Sequence, residues 1–346
     1  MTWTNRVCPR DWAPAHLLLE GFTAGEPLFS PEALFEAFVA AREVDGPGKI
    51  YFNHEIERNV FSRQRGAPTR DEDMPAASDG SWTGYAERMK KAHAGARFCL
   101  RLTELHAYSS AIYTRLCKLL SPLDLGDGKR CVRTTVFVGD YDYTPFGVHV
   151  DPYPQIQCVI SGGRTALFWD SEYWGGRTEE ERLAPWDHLE AAHRVPLKQD
   201  DAVYWAAAYE HAFSAQGELG IALTISFPPI PAPENEVEEA RRRSAHHFLN
   251  VPAPRAPRTA KPEQRFLGHP LFPLTIVSED ASEIVIVGAG SAFAIPRAPS
   301  KAPRRAVSAF VARVNERSPF RVSDVDESVR ELVDVFWAHY CIEAVD

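Results

Sequence analysis

The chain has 346 residues, 45% of them hydrophobic and 25% charged, with a formal net charge of -9. That is room for one large domain or two to three smaller ones with a substantial core, and the composition is not that of a disordered chain. The acidic balance speaks against a protein that coats nucleic acid, since phosphate binding wants a basic surface. No run of about 18 apolar residues is present, so no membrane span is expected. Six cysteines (Cys8, Cys99, Cys117, Cys131, Cys158 and Cys341) are scattered without a CxxC. They read as reduced thiols, and the start "MTWTNRVCPRDWAP" has no apolar leader, so a cytoplasmic location is expected.

Residues 31–43, "PEALFEAFVAARE", predict a helix with Ser30 as cap and Pro31 at its first position. "KIYFNHE" (49–55) is strand-like. Residues 63–82 are polar and turn-rich and read as a surface loop, a candidate lid. A short helix over 84–93 and a longer one over 104–120 follow, the second with Leu105, Tyr108, Ile112, Leu116 and Leu119 on one face.

From 131 the texture changes to short segments rich in β-branched and aromatic residues: 131–140, 146–151, 156–161, 164–169, 200–206 and 218–227. Gly162-Gly163 between two of them is a hairpin signal. The pattern is that of an antiparallel barrel or sandwich, not of βαβ units. Prolines after Phe227 end it. A Glu/Arg-rich helix, a Pro-rich linker at 251–262, a hairpin at 283–296 and helices at 305–316 and 327–340 complete the chain. The expected division is an N-terminal region 1–125 packing on the core, a barrel core 126–230, a helix and linker 231–262, and a C-terminal α+β module 263–346, of winged-helix character.

One stretch asks for chemistry. "FGVHVDPYPQIQCVISGGRTALFW" sets His149 and Asp151 two residues apart. In an extended chain such residues project to the same side. An imidazole and a carboxylate on one side of a barrel suit a metal of octahedral preference, and a third ligand must then come from another strand. His211 is the best third ligand, placed at the barrel mouth between a strand ending near 206 and one beginning near 218. The competing reading is a plain buried His–Asp hydrogen bond. His188, His193, His246 and His247 read as exposed. Trp169, Trp174, Trp186 and Trp205 read as barrel core and rim, and Tyr141, Tyr143 and Tyr153 as core or substrate mouth.

These segments, together with "DDAVYWAAAYEHAFSAQGELGIALTISF", resemble the JmjC or cupin-like iron(II)- and 2-oxoglutarate-dependent oxygenases over roughly residues 130–228. The resemblance implies a mainly β fold with flanking helices: a double-stranded β-helix (cupin or jelly-roll) core plus the C-terminal module. It implies His149, Asp151 and His211 as catalytic metal ligands, Fe(II) as the metal, and 2-oxoglutarate and O2 as cosubstrates. Arg164 falls where the family has a basic residue, most often lysine, that pairs with the distal carboxylate of 2-oxoglutarate; a guanidinium can bind it bidentately. Gln155 and Ser226 fall at positions near the cosubstrate, with plain turn and strand roles as the alternatives. Thr135 or Thr134 adds a hydroxyl there.

A carboxylate at 151, where halogenating relatives have a small residue, implies hydroxylation or a related desaturation or demethylation. Relatives that hydroxylate proteins often append a small helical module for dimerisation or substrate capture, so a peptide or protein substrate and a homodimer are the leading expectation. Two alternatives stay open: an oxygenase of a small metabolite or free amino acid, and a non-oxidative cupin-like metal-binding protein.

Overall fold

The computed structural model describes residues 16–23, 27–43, 48–52, 71–95, 97–120, 132–170, 172–207, 209–229, 233–244, 259–279, 283–296, 304–339 and 341–345. The chain divides into two compact units, Met1–Leu105 with Val132–Pro229, and His106–Cys131 with Ile230–Asp346. Residues 63–70 of the expected lid at 63–82 and most of the 251–262 linker lie outside the described residues, as do Cys8, Cys131, His246 and His247. No helix among the described residues is long and apolar enough to cross a membrane.

The first unit contains β1 (His16–Leu19), α1 (Pro31–Glu43), β2 (Gly48–Phe52), α2 (Trp82–Ala92), β3 (Phe98–Thr103), β4 (Arg133–Tyr141), β5 (Gln155–Ser161), β6 (Arg164–Trp169), β7 (His193–Leu197), β8 (Ala202–Trp205) and β9 (Glu210–Ser226). Helix α1 begins as the sequence predicts: the Ser30 hydroxyl accepts from the Ala33 N–H at 3.1 Å. Residues 71–81 are not a plain surface loop. They form two 3-10 turns that bury Met74 and Asp73, and His93 Nε2 meets the Asp73 carboxylate at 2.7 Å.

The strands pair antiparallel in the order β1-β8-β5-β9-β4-β3-β2, with β6 and β7 joined to the rest through β9. Strand β9 is the shared element. Its start, Glu210–Ser214, pairs with β6, and its end lies between β4 and β5. One strand serving two sheets closes the double-stranded β-helix, and the fold is mainly β with flanking helices.

Three local expectations change. Gly162-Gly163 is not a hairpin, because β5 and β6 do not pair with each other; Gly162, at φ +70°, turns the chain from one sheet into the other. A side chain there would press on the Leu219 carbonyl. Residues 146–151 form no strand and meet the sheet at a single bridge, His149 with His211. Strand β9 starts at Glu210 rather than near 218, so His211 sits in a strand and not in a connector.

The alternation of side chains builds the interior in rows. Val203, Gln157, Thr224, Thr135 and Thr103 stand abreast on five strands, and Trp205, Gln155, Ser226 and Arg133 form the next row. A row of polar side chains across a barrel floor needs partners, and Gln157 Nε2 donates to Thr224 Oγ1 at 2.9 Å. Val203 and Trp205 also join an apolar cluster with Val159, Ala166, Phe168 and Phe213.

The second unit contains α3 (Ser110–Leu120), α4 (Glu236–Ser244), β10 (Arg265–Gly268), β11 (Thr275–Glu279), β12 (Glu283–Gly288), β13 (Ser291–Pro296), α5 (Arg304–Asn315), β14 (Phe320–Arg321), α6 (Glu331–Ala338) and β15 (Ile342–Val345). Strands β14-β10-β15 and β11-β12-β13 form two three-stranded antiparallel sheets. The β12–β13 hairpin turns through Ala289 and Gly290, both at positive φ, as a two-residue turn requires. The helix expected over 104–120 is split. Leu105–Tyr108 is a 3-10 turn, and the Ser109 hydroxyl accepts from Ile112 N–H at 3.4 Å to start α3.

His106 is completely buried beside the Tyr113 ring, and burial lowers its pKa to about 3. The unfolded chain takes up this proton near pH 6.5 while the folded chain refuses it, so stability is full above that pH and falls as pH drops towards 3. Urea unfolding should therefore show about 1 kcal/mol less stability at pH 5.5 than at 7.5 from this residue. The His106→Gln variant should lose that part of the slope; an unchanged slope would remove the assignment.

Candidate metal centre and cavity

The three predicted ligands converge. His149, Asp151 and His211 each present one ligand atom, and these atoms all lie within 4.8 Å of one another. Asp151 Oδ2 stands 3.3 Å from His211 Nε2 and 3.7 Å from His149 Nε2. His149 and His211 exchange both backbone hydrogen bonds, at 3.1 and 3.0 Å, which brings their ring centroids to 4.3 Å.

The main chain also sets the tautomers. His149 Nδ1 lies 3.1 Å from the Gly147 carbonyl and His211 Nδ1 lies 2.8 Å from the Tyr209 carbonyl. A carbonyl only accepts, so each Nδ1 carries the proton and each Nε2 turns its lone pair to the common centre. Burial, then the neighbouring His211, holds His149 well below its ordinary pKa and keeps it neutral. Burial pushes the Asp151 carboxyl up, but the His211 and His149 rings beside it and the Arg101 charge leave it below the usual value, so it is ionised. Two imidazoles and one carboxylate are a donor set for a divalent transition metal.

Both ligand-bearing segments are held by one residue. Arg182, at the end of the short helix Glu179–Leu183, makes two 2.8 Å bonds to the Glu210 carboxylate, next to His211. Its carbonyl accepts from Val148 N–H at 2.7 Å, next to His149. Gly147 (φ +67°) passes so close to that carbonyl that any Cβ would run into it.

The three ligands open into a cavity of about 350 Å³. Gln155, Ser226 and Thr135 line it, with Ser226 Oγ donating to Gln155 Oε1 at 3.0 Å; Thr134 is buried and does not line it. Arg164 is 4% exposed and lies one layer behind. Its Nη1 reaches Gln157 Oε1, a lining residue, and its Nη2 the Phe137 carbonyl, each at 3.4 Å. Arg164 Nε has no partner, and no carboxylate pairs with this arginine among the described residues. The Trp205 indole N–H, also on the cavity wall, has none either.

Of the flagged aromatics, Trp169, Trp174 and Trp205 are buried, and Trp186 is on the rim, 46% exposed. Tyr141 is core, Tyr153 lines the cavity, and Tyr143 packs on Trp186. His193 is exposed, as expected, whereas His188 is part-buried and bonded to the Tyr173 hydroxyl at 3.0 Å.

Sequence reasoning missed Arg101, Arg133, Thr103, Thr224 and Gln157 in the cavity wall. Their common face follows only from strand register, which no local pattern carries. A mainly apolar hollow of about 390 Å³, lined by Pro145, Phe146, Val148, Val150 and Leu183 with the charged Glu179 and Arg182, borders His149.

No protein-family model and no curated protein matches the chain. Solved structures do. YcfD of Escherichia coli is 11% identical, with 97% of this chain and 96% of that chain covered and a TM-score of 0.50. A structure of the same protein, described as a ribosomal oxygenase in complex with cobalt and 2-oxoglutarate, aligns over 99% and 97% of the two chains at 11% identity and a TM-score of 0.46. A cupin superfamily protein of Desulfitobacterium hafniense aligns with 30% of this chain and 71% of its own, at 15% identity and a TM-score of 0.20. The likeness to YcfD at a TM-score of 0.50 is one of fold, and in fold this chain is a double-stranded β-helix protein.

Proposed function

We propose that this protein is an iron(II)- and 2-oxoglutarate-dependent oxygenase that hydroxylates a C–H bond, in a peptide or protein side chain. The convergence of His149 Nε2, Asp151 Oδ2 and His211 Nε2, with both Nδ1 positions already occupied, carries the reading. Three such ligands take one face of an octahedral ion and leave the other positions open. When bound, iron with 2-oxoglutarate and O2 supplies the oxidation of the C–H bond, releasing succinate and CO2.

The protein's own groups bind and orient. Arg164 meets the distal carboxylate of 2-oxoglutarate. What supports this is a buried guanidinium without a carboxylate, an orphaned Nε and two contacts that are long for charged donors. Gln155 and Ser226 lie near the cosubstrate, and the Thr135 hydroxyl lines the same wall. The buried Phe168 and Trp205 rings pack against His211 and keep water from that side of the ligand set. The hollow beside His149 and the exposed Val150 between the first two ligands favour a substrate with extended chain on either side of the reacting group. The C-terminal module serves capture of that substrate or dimerisation.

The test is uncoupled turnover of 2-oxoglutarate to succinate by purified protein with iron and oxygen. A cupin-like protein without oxidative chemistry would bind metal and yield no succinate. The His211→Ala variant should lose metal retention, measured by titration with Co(II), together with activity; retained binding would remove the ligand assignment. Arg164→Ala should weaken 2-oxoglutarate binding by about 30- to 150-fold, the loss of a charge-assisted contact of roughly 2–3 kcal/mol. Calorimetry on Mn(II)-loaded protein reads that change, and an unaltered affinity would move the anchor elsewhere.

A further inference from the structure

The cavity holds a second arginine that neither the metal nor the cosubstrate uses. Arg101 projects from β3 in the row of Phe137, beside the polar row of Thr103 and Thr135. Its guanidinium lies 6.0 Å from the Phe146 ring, and that ring packs edge-on against His149 at 4.6 Å. Arg101 Nε is buried and has no partner, and no carboxylate pairs with its guanidinium among the described residues.

Among the described residues, Asp151 is the only carboxylate on the cavity wall. A divalent ion, Asp151 and Arg164 together balance the two charges of 2-oxoglutarate. Arg133 is paired with Glu104 at 3.0 Å. Arg101 is then the one cation of the described cavity wall left without an anion, one aromatic ring away from a metal ligand. The side chain is part-exposed but its Nε is shut off from solvent without a partner, so an arriving anion would complete it, and the charge repels any cationic side chain brought to the metal.

We propose that the substrate carries a carboxylate close to the oxidised carbon and that Arg101 binds it, so that the site takes acidic groups and refuses basic ones. The proposal rests on the oxygenase reading for its charge balance, and it names the substrate class of that same site. The carboxylate has two sources, an aspartate or glutamate side chain within a peptide, or a free acidic amino acid or related small acid. Arg101 is the specificity-determining residue in both.

The experiment uses the full chain loaded with Mn(II) and 2-oxoglutarate. The probes are N-acetylated, C-amidated pentapeptides Ala-Ala-X-Ala-Ala with X as Asp, Glu, Asn, Gln, Lys or Arg, and N-acetylaspartate as the small-molecule arm. Calorimetry should show binding of the Asp or Glu peptide, or of N-acetylaspartate, at least tenfold tighter than of every neutral or basic probe. Which arm binds tells peptide from small acid. With Fe(II) and air, the bound probe should raise succinate output and gain 16 Da.

Arg101→Gln should weaken acid binding by about 10- to 100-fold, and Arg101→Lys, which keeps the charge, should restore part of it. Binding of the basic probes in preference, no binding of any acidic probe, or a matching loss of 2-oxoglutarate affinity in Arg101→Gln would overturn the proposal. Acid binding that needs Arg101 in a protein that makes no succinate would instead sink the oxygenase reading and leave the anion site standing.

Discussion

The site depends on a backbone pairing between two residues far apart in sequence. His149 and His211 exchange both N–H···O bonds, although one lies in an irregular loop and the other at the start of a long strand. Such a pair puts two side chains side by side on one face, and the carbonyls of Gly147 and Tyr209 then fix the ring orientation. Each ligand is aimed by main chain, so little rotamer freedom remains to be lost when an ion arrives. Arg182 reinforces the pairing from outside, with its side chain on Glu210 and its carbonyl on Val148. Glycine at 147 is what lets the loop come so close.

The legible part of the site was the part encoded locally. His149 and Asp151 share a face through the two-residue rule of extended chain, and His211 follows once a third ligand is demanded. The element carrying each was harder to read. The HxD segment has β-branched residues, but Pro145, Gly147, Pro152 and Pro154 surround it and prevent a ladder. The first half of β9, "EHAFSAQG", holds alanine, glutamine and glycine, poor strand formers on their own; pairing with β6 decides its conformation. Gly162-Gly163 fits a hairpin equally well by sequence, and only the sheet to which β6 belongs tells a hairpin from a crossing between sheets.

The cavity floor was not legible at all, for a related reason. Gln157, Thr224, Thr135 and Thr103 come from strands whose order is β5-β9-β4-β3, and nothing in any one strand says what stands beside it. A threonine in a strand is ordinary. Four polar side chains abreast facing a metal site are not, because an apolar floor would have been cheaper to bury. The polar row makes sense as a surface meant to meet a polar ligand.

The arginines of the barrel unit sharpen this distinction. Arg88 binds Asp79 through two bonds and thereby braces the start of α2. Arg97 holds both Asp140 and Asp142. Arg133 has Glu104, and Arg182 has Glu210. These four serve the fold, and each has a carboxylate; Arg177, which lies outside the cavity, instead packs on the Tyr173 and Trp174 rings. Arg164 and Arg101 have no carboxylate, and they are the two whose side chains lie behind and within the cavity. Arg164 is buried and Arg101 part-buried, each with an unpartnered Nε that an arriving anion would relieve. The family resemblance singled out Arg164 but said nothing of Arg101, 48 residues before His149 on another strand. Two such arginines beside one metal triad ask for two anionic partners, of which 2-oxoglutarate is one.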